Sequence, residues 1–167
     1  MKHWIQKNSI VLTLLPVVAI MGMILYFSAQ PAEDSGAMSS GLTISILSAL
    51  VPNFQKLTPE EQRSLCGVVE VIIRKLGHFS EYAVLGFALM LHIQQIKKQI
   101  SVRLPWLGAW GVGALYAVSD ELHQGFVPGR SPMVTDVLID SGGVIAGVGA
   151  MLILFWLLER RKIKRGV

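Results

Sequence analysis

Six residues able to carry acid–base or metal chemistry stand at helical spacing in an otherwise apolar chain: His78, Glu81, Asp120, His123, Asp136 and Asp140. Imidazole titrates near neutral pH and neighbouring carboxylates split their proton affinities, so such a set can move protons. The same groups can hold a cation. Asp136 and Asp140, at i and i+4, suit a hard ion such as Mg²⁺. Asp120 with His123 suits a borderline ion such as Zn²⁺. Neither pair is a specific ligand signature, so a divalent cation stays an open alternative. Arg74, Lys75 and Arg130 add cations able to hold a phosphate or carboxylate, and Tyr82 and Gln124 add neutral hydrogen-bonding groups.

The elements that must position these groups are membrane helices. Of 167 residues, 52% are hydrophobic and only 16% charged, and the mean hydropathy is +0.54. That balance is wrong for a water-soluble globule of one domain's length. The apolar residues fall in four long blocks, at about 10–30, 76–96, 104–124 and 133–158. Roughly 20 such residues cross a bilayer. The expected fold is all-α: a single membrane domain over 1–167 with four transmembrane helices. The first block carries no ionised residue and exceeds the roughly 7–15 apolar residues of a removable signal, so it reads as a retained anchor.

Orientation follows from the basic residues. With the N-terminus inside, Lys2, Lys7, Lys97, Lys98, Arg103, Arg160, Arg161, Lys162, Lys164 and Arg165 lie on the cytoplasmic side. Only Lys56, Arg63, Arg74, Lys75 and Arg130 lie outside. Trp4, Trp106, Trp110 and Trp156 all fall at the expected inner interface. The reading is a multi-pass protein of the cell membrane with both termini cytoplasmic and the bilayer as its first partner. The RRKIKR tail suits anionic inner-leaflet headgroups.

Segment 31–73 between the first two spans is expected to lie along the outer surface as short helices. One runs near Leu42 to Val51 and stops at Pro52. The next opens with TPEE, in which Thr58 caps, Pro59 starts and Glu61 completes a capping box, and it feeds into the second span. The single cysteine, Cys66, excludes an internal disulfide and reads as a packing residue. No repeat is present, and no basic, aromatic-interleaved patch suggests nucleic acid.

Helical phase decides which polar groups can meet. Arg74, His78, Glu81 and Tyr82 share a face, as do Tyr116, Asp120, His123 and Gln124, whereas Glu121 points off that stripe. Asp136 and Asp140 continue into Gly143 and Gly147, and Asp120 into Gly113 and Ala109. Small residues spaced by four let helices approach closely, so all three polar stripes should face the bundle interior, in its outer half. In GFVPGR, Pro128-Gly129 suits the centre of a type II turn that presents Arg130 at the mouth. His92, alone in an inner half, reads as an interfacial or core histidine. Three readings fit the polar set. One is an active site for an anionic amphiphile, the second a mutually satisfied packing network. The third is a proton or ion path, which finds no relay further in except His92.

At these residues the chain resembles the VanZ-like family of small bacterial membrane proteins. The resemblance rests on KLGHFSEYAVLGF (75–87), SDELHQGFVPGRSPMVTDVLIDSGG (119–143) and, more weakly, YFSAQPA (26–32). Lys75, His78, Glu81, Tyr82, Asp120, Glu121, His123, Gln124, Arg130, Asp136 and Asp140 match its pattern. The resemblance implies an envelope role on the outer leaflet, because the founding member is linked to reduced susceptibility to the lipoglycopeptide teicoplanin. It implies no particular reaction. The expected partner is a lipid-linked cell-wall precursor or a lipoglycopeptide. His78 or His123 would act as acid/base, and Arg130 and Lys75, with Arg74, would hold the anion.

Overall fold

The computed structural model describes residues 2–97 and 103–164, with side chains at 10–31, 40–97, 103–161 and 163. The described residues form five α-helices and no strand: α1 (Lys2–Ser28), α2 (Ala32–Leu50), α3 (Pro59–Ile96), α4 (Pro105–Gln124) and α5 (Val134–Lys164), with a short 3₁₀ turn at Phe54–Lys56. The expected all-α architecture holds. The side chains of Lys2, Trp4, Lys7, Lys98, Lys162, Lys164 and Arg165, on which part of the orientation reading rests, lie outside the described residues.

Among the described residues, three helices are long and apolar enough to cross a membrane, in segments Ile10–Ser28, Pro59–Ile96 and Val134–Arg161. α4 has a span's length at 20 residues, but Asp120, Glu121, His123 and Gln124 at its end leave too short an apolar stretch for it to join them. The exterior is that of a protein solvated by lipid. Leu12, Val18, Val84, Leu115, Ile145 and Ile153 are all exposed, and such continuous apolar surface is not tolerated in water.

α2 begins at Ala32, well before the helix expected near Leu42. Gly36, Gly41 and five serines in its sequence are weak helix formers and conceal it. α3 opens as its capping box requires. Thr58 Oγ1 accepts from the Glu61 backbone N–H at 3.3 Å, and Glu61 accepts from the Thr58 N–H at 2.8 Å. Gln62 closes the preceding turn by donating to the Phe54 and Leu57 carbonyls, both at 3.2 Å. From there α3 runs unbroken for 38 residues, about 57 Å at 1.5 Å per residue. That is nearly twice the ~30 Å hydrocarbon core, and α3 also packs against α2.

The largest interface joins α3 to α5, which run parallel. A Cβ at Gly143 would collide with the Phe79 carbonyl oxygen, one at Gly147 with that of Ala83, and one at Gly86 with that of Val144. Three glycines therefore bring backbone against backbone, as the small-residue stripe predicted. α4 joins the same seam: Ala109 is fully buried, and a Cβ at Gly113 would sit 2.7 Å from both Val144 methyls. α1 contributes Val17 and Ile24 to the shared core of Tyr82, Leu85, Met90, Ala117 and Val144. Tyr116 donates to the Met21 carbonyl at 2.6 Å, and Thr13 pairs with His92 at 3.0 Å. His92 is thus a core-facing histidine with a partner.

Candidate functional site

The polar residues of α1, α3, α4 and α5 meet at one end of the bundle, where α1 and α4 finish and α5 begins. The parallel seam sets the order. Lys75 pairs with Asp136 at the mouth, and one turn deeper His78 Nδ1 lies 4.0 Å from Asp140 Oδ1. Below these, Gly143 and Gly147 close the helices together, so the polar stripe runs directly into the packing stripe.

α4 supplies the opposite wall through Asp120 and Gln124, which are 2% and 6% exposed. Ser28, the last residue of α1, donates to Asp120 Oδ2 at 2.7 Å. Gln124 donates to the Ser28 hydroxyl at 3.0 Å and to Asp120 Oδ2 at 3.4 Å. Arg130 completes the chain, donating to Gln124 Oε1 at 3.2 Å and to the Phe27 carbonyl at 3.4 Å. It can reach both because of its turn. Gly129 has a φ of 75°, and the Arg130 N–H donates to the Val127 carbonyl at 3.1 Å, the type II arrangement read from Pro128-Gly129. Burial, and then the nearby Arg74 guanidinium, draw the Arg130 pKa down from the ordinary arginine value.

Four buried atoms in this region have no hydrogen-bond partner: His78 Nδ1, Tyr82 Oη, Asp120 Oδ1 and Asp140 Oδ1. Among the described residues, His78, Asp120 and Asp140 form a group with the donor types of a metal site, their ligand atoms within 4.8 Å of one another. Above them Arg74, His78, Gln124, Gly129, Arg130, Ser131, Met133 and Asp136 line a cavity of about 200 Å³. Glu81 is half-buried on α3 beside this group and makes no hydrogen bond or ion pair among the described residues. Tyr82 is fully buried, its ring 6.2 Å from that of Tyr116.

Two sequence expectations are reversed. His123 is exposed, and Glu121 is 5% exposed. At ~100° per residue each lies about 80° from the middle of the buried α4 stripe, on opposite flanks. α5 covers the Glu121 flank, and the Glu121 carboxylate accepts from the Met133 N–H where the chain enters α5. A helix start with unpaired N–H groups is a favourable place for a carboxylate. His123 therefore does not join Asp120, and Asp136 pairs with Lys75. Ser28 was missed as a site residue. Its only signal was its place in YFSAQPA, because a serine at the end of an apolar span has no helical partner to reveal it.

Residues 13–157 match the family model described as VanZ/LLP1. No curated protein and no solved structure matches the chain.

Proposed function

Since the chain belongs to the VanZ/LLP1 family, we propose a four-span protein of the cell membrane, termini cytoplasmic, whose polar site binds or modifies the anionic head group of a lipid-linked or lipidated envelope molecule. α4 is the fourth span of this reading. Its Asp120, Glu121 and Gln124 turn into the bundle, and Leu115, Val118 and Leu122 are left for lipid. The lysine and arginine distribution supports this direction, which on this reading has the cavity at the outer surface.

The observation that carries the reading is the cavity of about 200 Å³ in which Arg74 and Arg130 stand together over His78 and Asp136. Two guanidinium groups held side by side favour an anion between them, and their planar forks suit phosphate or carboxylate. The cavity is smaller than the ~300–1,000 Å³ of a whole-ligand pocket. It suits a head group whose hydrocarbon stays in the bilayer, as in a lipid-linked cell-wall precursor or a lipoglycopeptide. Lys75 stands at the rim. His78 is the acid–base group of this reading, with Glu81, Asp120 and Asp140 behind it, and His123 is set aside because it faces away. A role in teicoplanin susceptibility belongs to the same proposal.

The test is binding of a polyprenyl monophosphate, against the matching alcohol, to protein in lipid nanodiscs. Arg130→Gln should weaken the phosphate at least tenfold and leave the alcohol unchanged. Equal affinity of wild type and variant for the phosphate would sink the proposal. The chain Asp120–Ser28–Gln124–Arg130–Phe27 favours a second reading, an interhelical lock without chemistry. On that reading His78→Gln and Asp136→Asn act only by removing folded protein from the membrane.

A further inference from the structure

We infer that His78, Asp120 and Asp140 form a binding site for one divalent metal ion of the zinc–manganese class. The three come from α3, α4 and α5, and their ligand atoms lie within 4.8 Å of one another. An ion that holds nitrogen and oxygen at ~2.1 Å keeps its ligands no more than about 4.2 Å apart. Tetrahedral ligands lie about 3.4 Å apart, so the His78–Asp140 separation of 4.0 Å and the other separations close by side-chain adjustments of roughly 0.5–1.5 Å.

The second observation is the state of the atoms that face each other. Asp120 and Asp140 are 2% and 1% exposed, yet Asp120 Oδ1, Asp140 Oδ1 and His78 Nδ1 have no hydrogen-bond partner. Buried carboxylate oxygens left unpaired are costly. Among the described residues no lysine or arginine pairs with either, because Lys75 is engaged by Asp136 and Arg130 by Gln124 and the Phe27 carbonyl. A dication with two carboxylates and a neutral imidazole is electroneutral, the least costly combination in an apolar surround. The support around Asp120 has the same sense. Ser28 and Gln124 take its Oδ2 and leave Oδ1 without a hydrogen-bond partner, as hydrogen bonds commonly orient a ligating carboxylate.

The donor set selects the ion. Mg²⁺ and Ca²⁺ prefer oxygen throughout, soft ions want sulfur, and one imidazole with two carboxylates suits Zn²⁺ or Mn²⁺. His78 also lines the cavity of about 200 Å³, so the ion is reachable from it. As a ligand His78 no longer serves as the acid–base group, so this inference replaces that role and stands on the ligands alone without needing the anion reading.

The test is metal content and titration of purified full-length protein in detergent, stripped with chelator and reloaded with Zn²⁺, Mn²⁺ or Mg²⁺. Wild type should retain one Zn²⁺ or Mn²⁺ per chain after desalting and prefer both to Mg²⁺. Asp140→Asn and His78→Gln should each lose at least tenfold in affinity. Ser28→Ala should lose less, and His123→Gln nothing. Folding is checked by gel filtration and Tm. Arg130→Gln should keep the metal while losing the phosphate, which separates this inference from the proposed function. Wild type that retains no ion overturns it, whatever the variants do. Equal retention by wild type, Asp140→Asn and His78→Gln overturns it as well, leaving an adventitious ion only.

Discussion

Gly147→Ala tests whether the α3–α5 seam is as close as the backbone indicates. The added Cβ would fall on the Ala83 carbonyl oxygen and lie 2.7 Å from the Phe87 nitrogen. Both are main-chain atoms inside a helix, so no rotamer change relieves the contact. The helices must separate locally, and a gap of ~0.5–1 Å loses about a quarter to a half of the dispersion well of each atom pair across it. Overpacking costs typically ~1–3 kcal/mol. With rigid neighbours the upper end applies, and about 3 kcal/mol corresponds to a factor of roughly 150 in the folding equilibrium. Gly149, two residues along the same helix, supplies the control, because nothing lies within 4 Å of a Cβ there. Unfolding of the two variants in mixed micelles, followed by circular dichroism or steric trapping, gives the difference directly. Gly149→Ala should match or slightly exceed wild type in stability. If Gly147→Ala is as stable as Gly149→Ala, the reasoning about the seam is wrong.

Lys75→Met should cost about 1–2 kcal/mol, less than for a fully buried pair because the two partners are 32% and 29% exposed. Adding Asp136→Asn should recover most of that loss, as read by a double-mutant cycle in micelles. The Glu61 carboxyl sits below its ordinary value of 4.5 because it accepts from the Thr58 backbone N–H and hydroxyl. Its contribution to the start of α3 is therefore present above pH 4.5 and lost as pH falls through the lower folded value. Amide exchange at the first turn of α3 should accelerate over that range in wild type and show no such step in Glu61→Gln. Cys66, the one cysteine, lies in the first half of α3, outside the membrane in the proposed topology. In intact cells a membrane-impermeant maleimide should label it, whereas Arg103→Cys in a Cys66→Ser background should label only after permeabilisation. The reverse pattern would invert the proposed topology.

What could be read from the chain divides by the range of the interaction. TPEE specifies its own helix start and VPGR its own turn, because every hydrogen bond involved lies within a few residues. The Gly143–Gly147 stripe was legible for a related reason, since close approach requires small residues whatever the partner. The facing of His123 and Glu121 was not legible. Their phases are symmetric about the α4 stripe, and only the placement of α5 breaks the symmetry. The Ser28 bond to Asp120 spans 92 residues, beyond any local pattern. The grouping of His78 with Asp120 and Asp140 has the same origin, because it takes one residue from each of three helices. α4's standing as a span is blurred because the residues that lower its hydropathy are those that turn inward.

The glycine seam has one more consequence. Because carbonyl oxygens of α3 rest against glycines of α5, the distance between those two walls is a hard stop set by covalent geometry. Side-chain-packed helices can creep apart or settle as a bilayer thickens or thins. Here that stop sets how closely Lys75 and His78 can stand to Asp136 and Asp140.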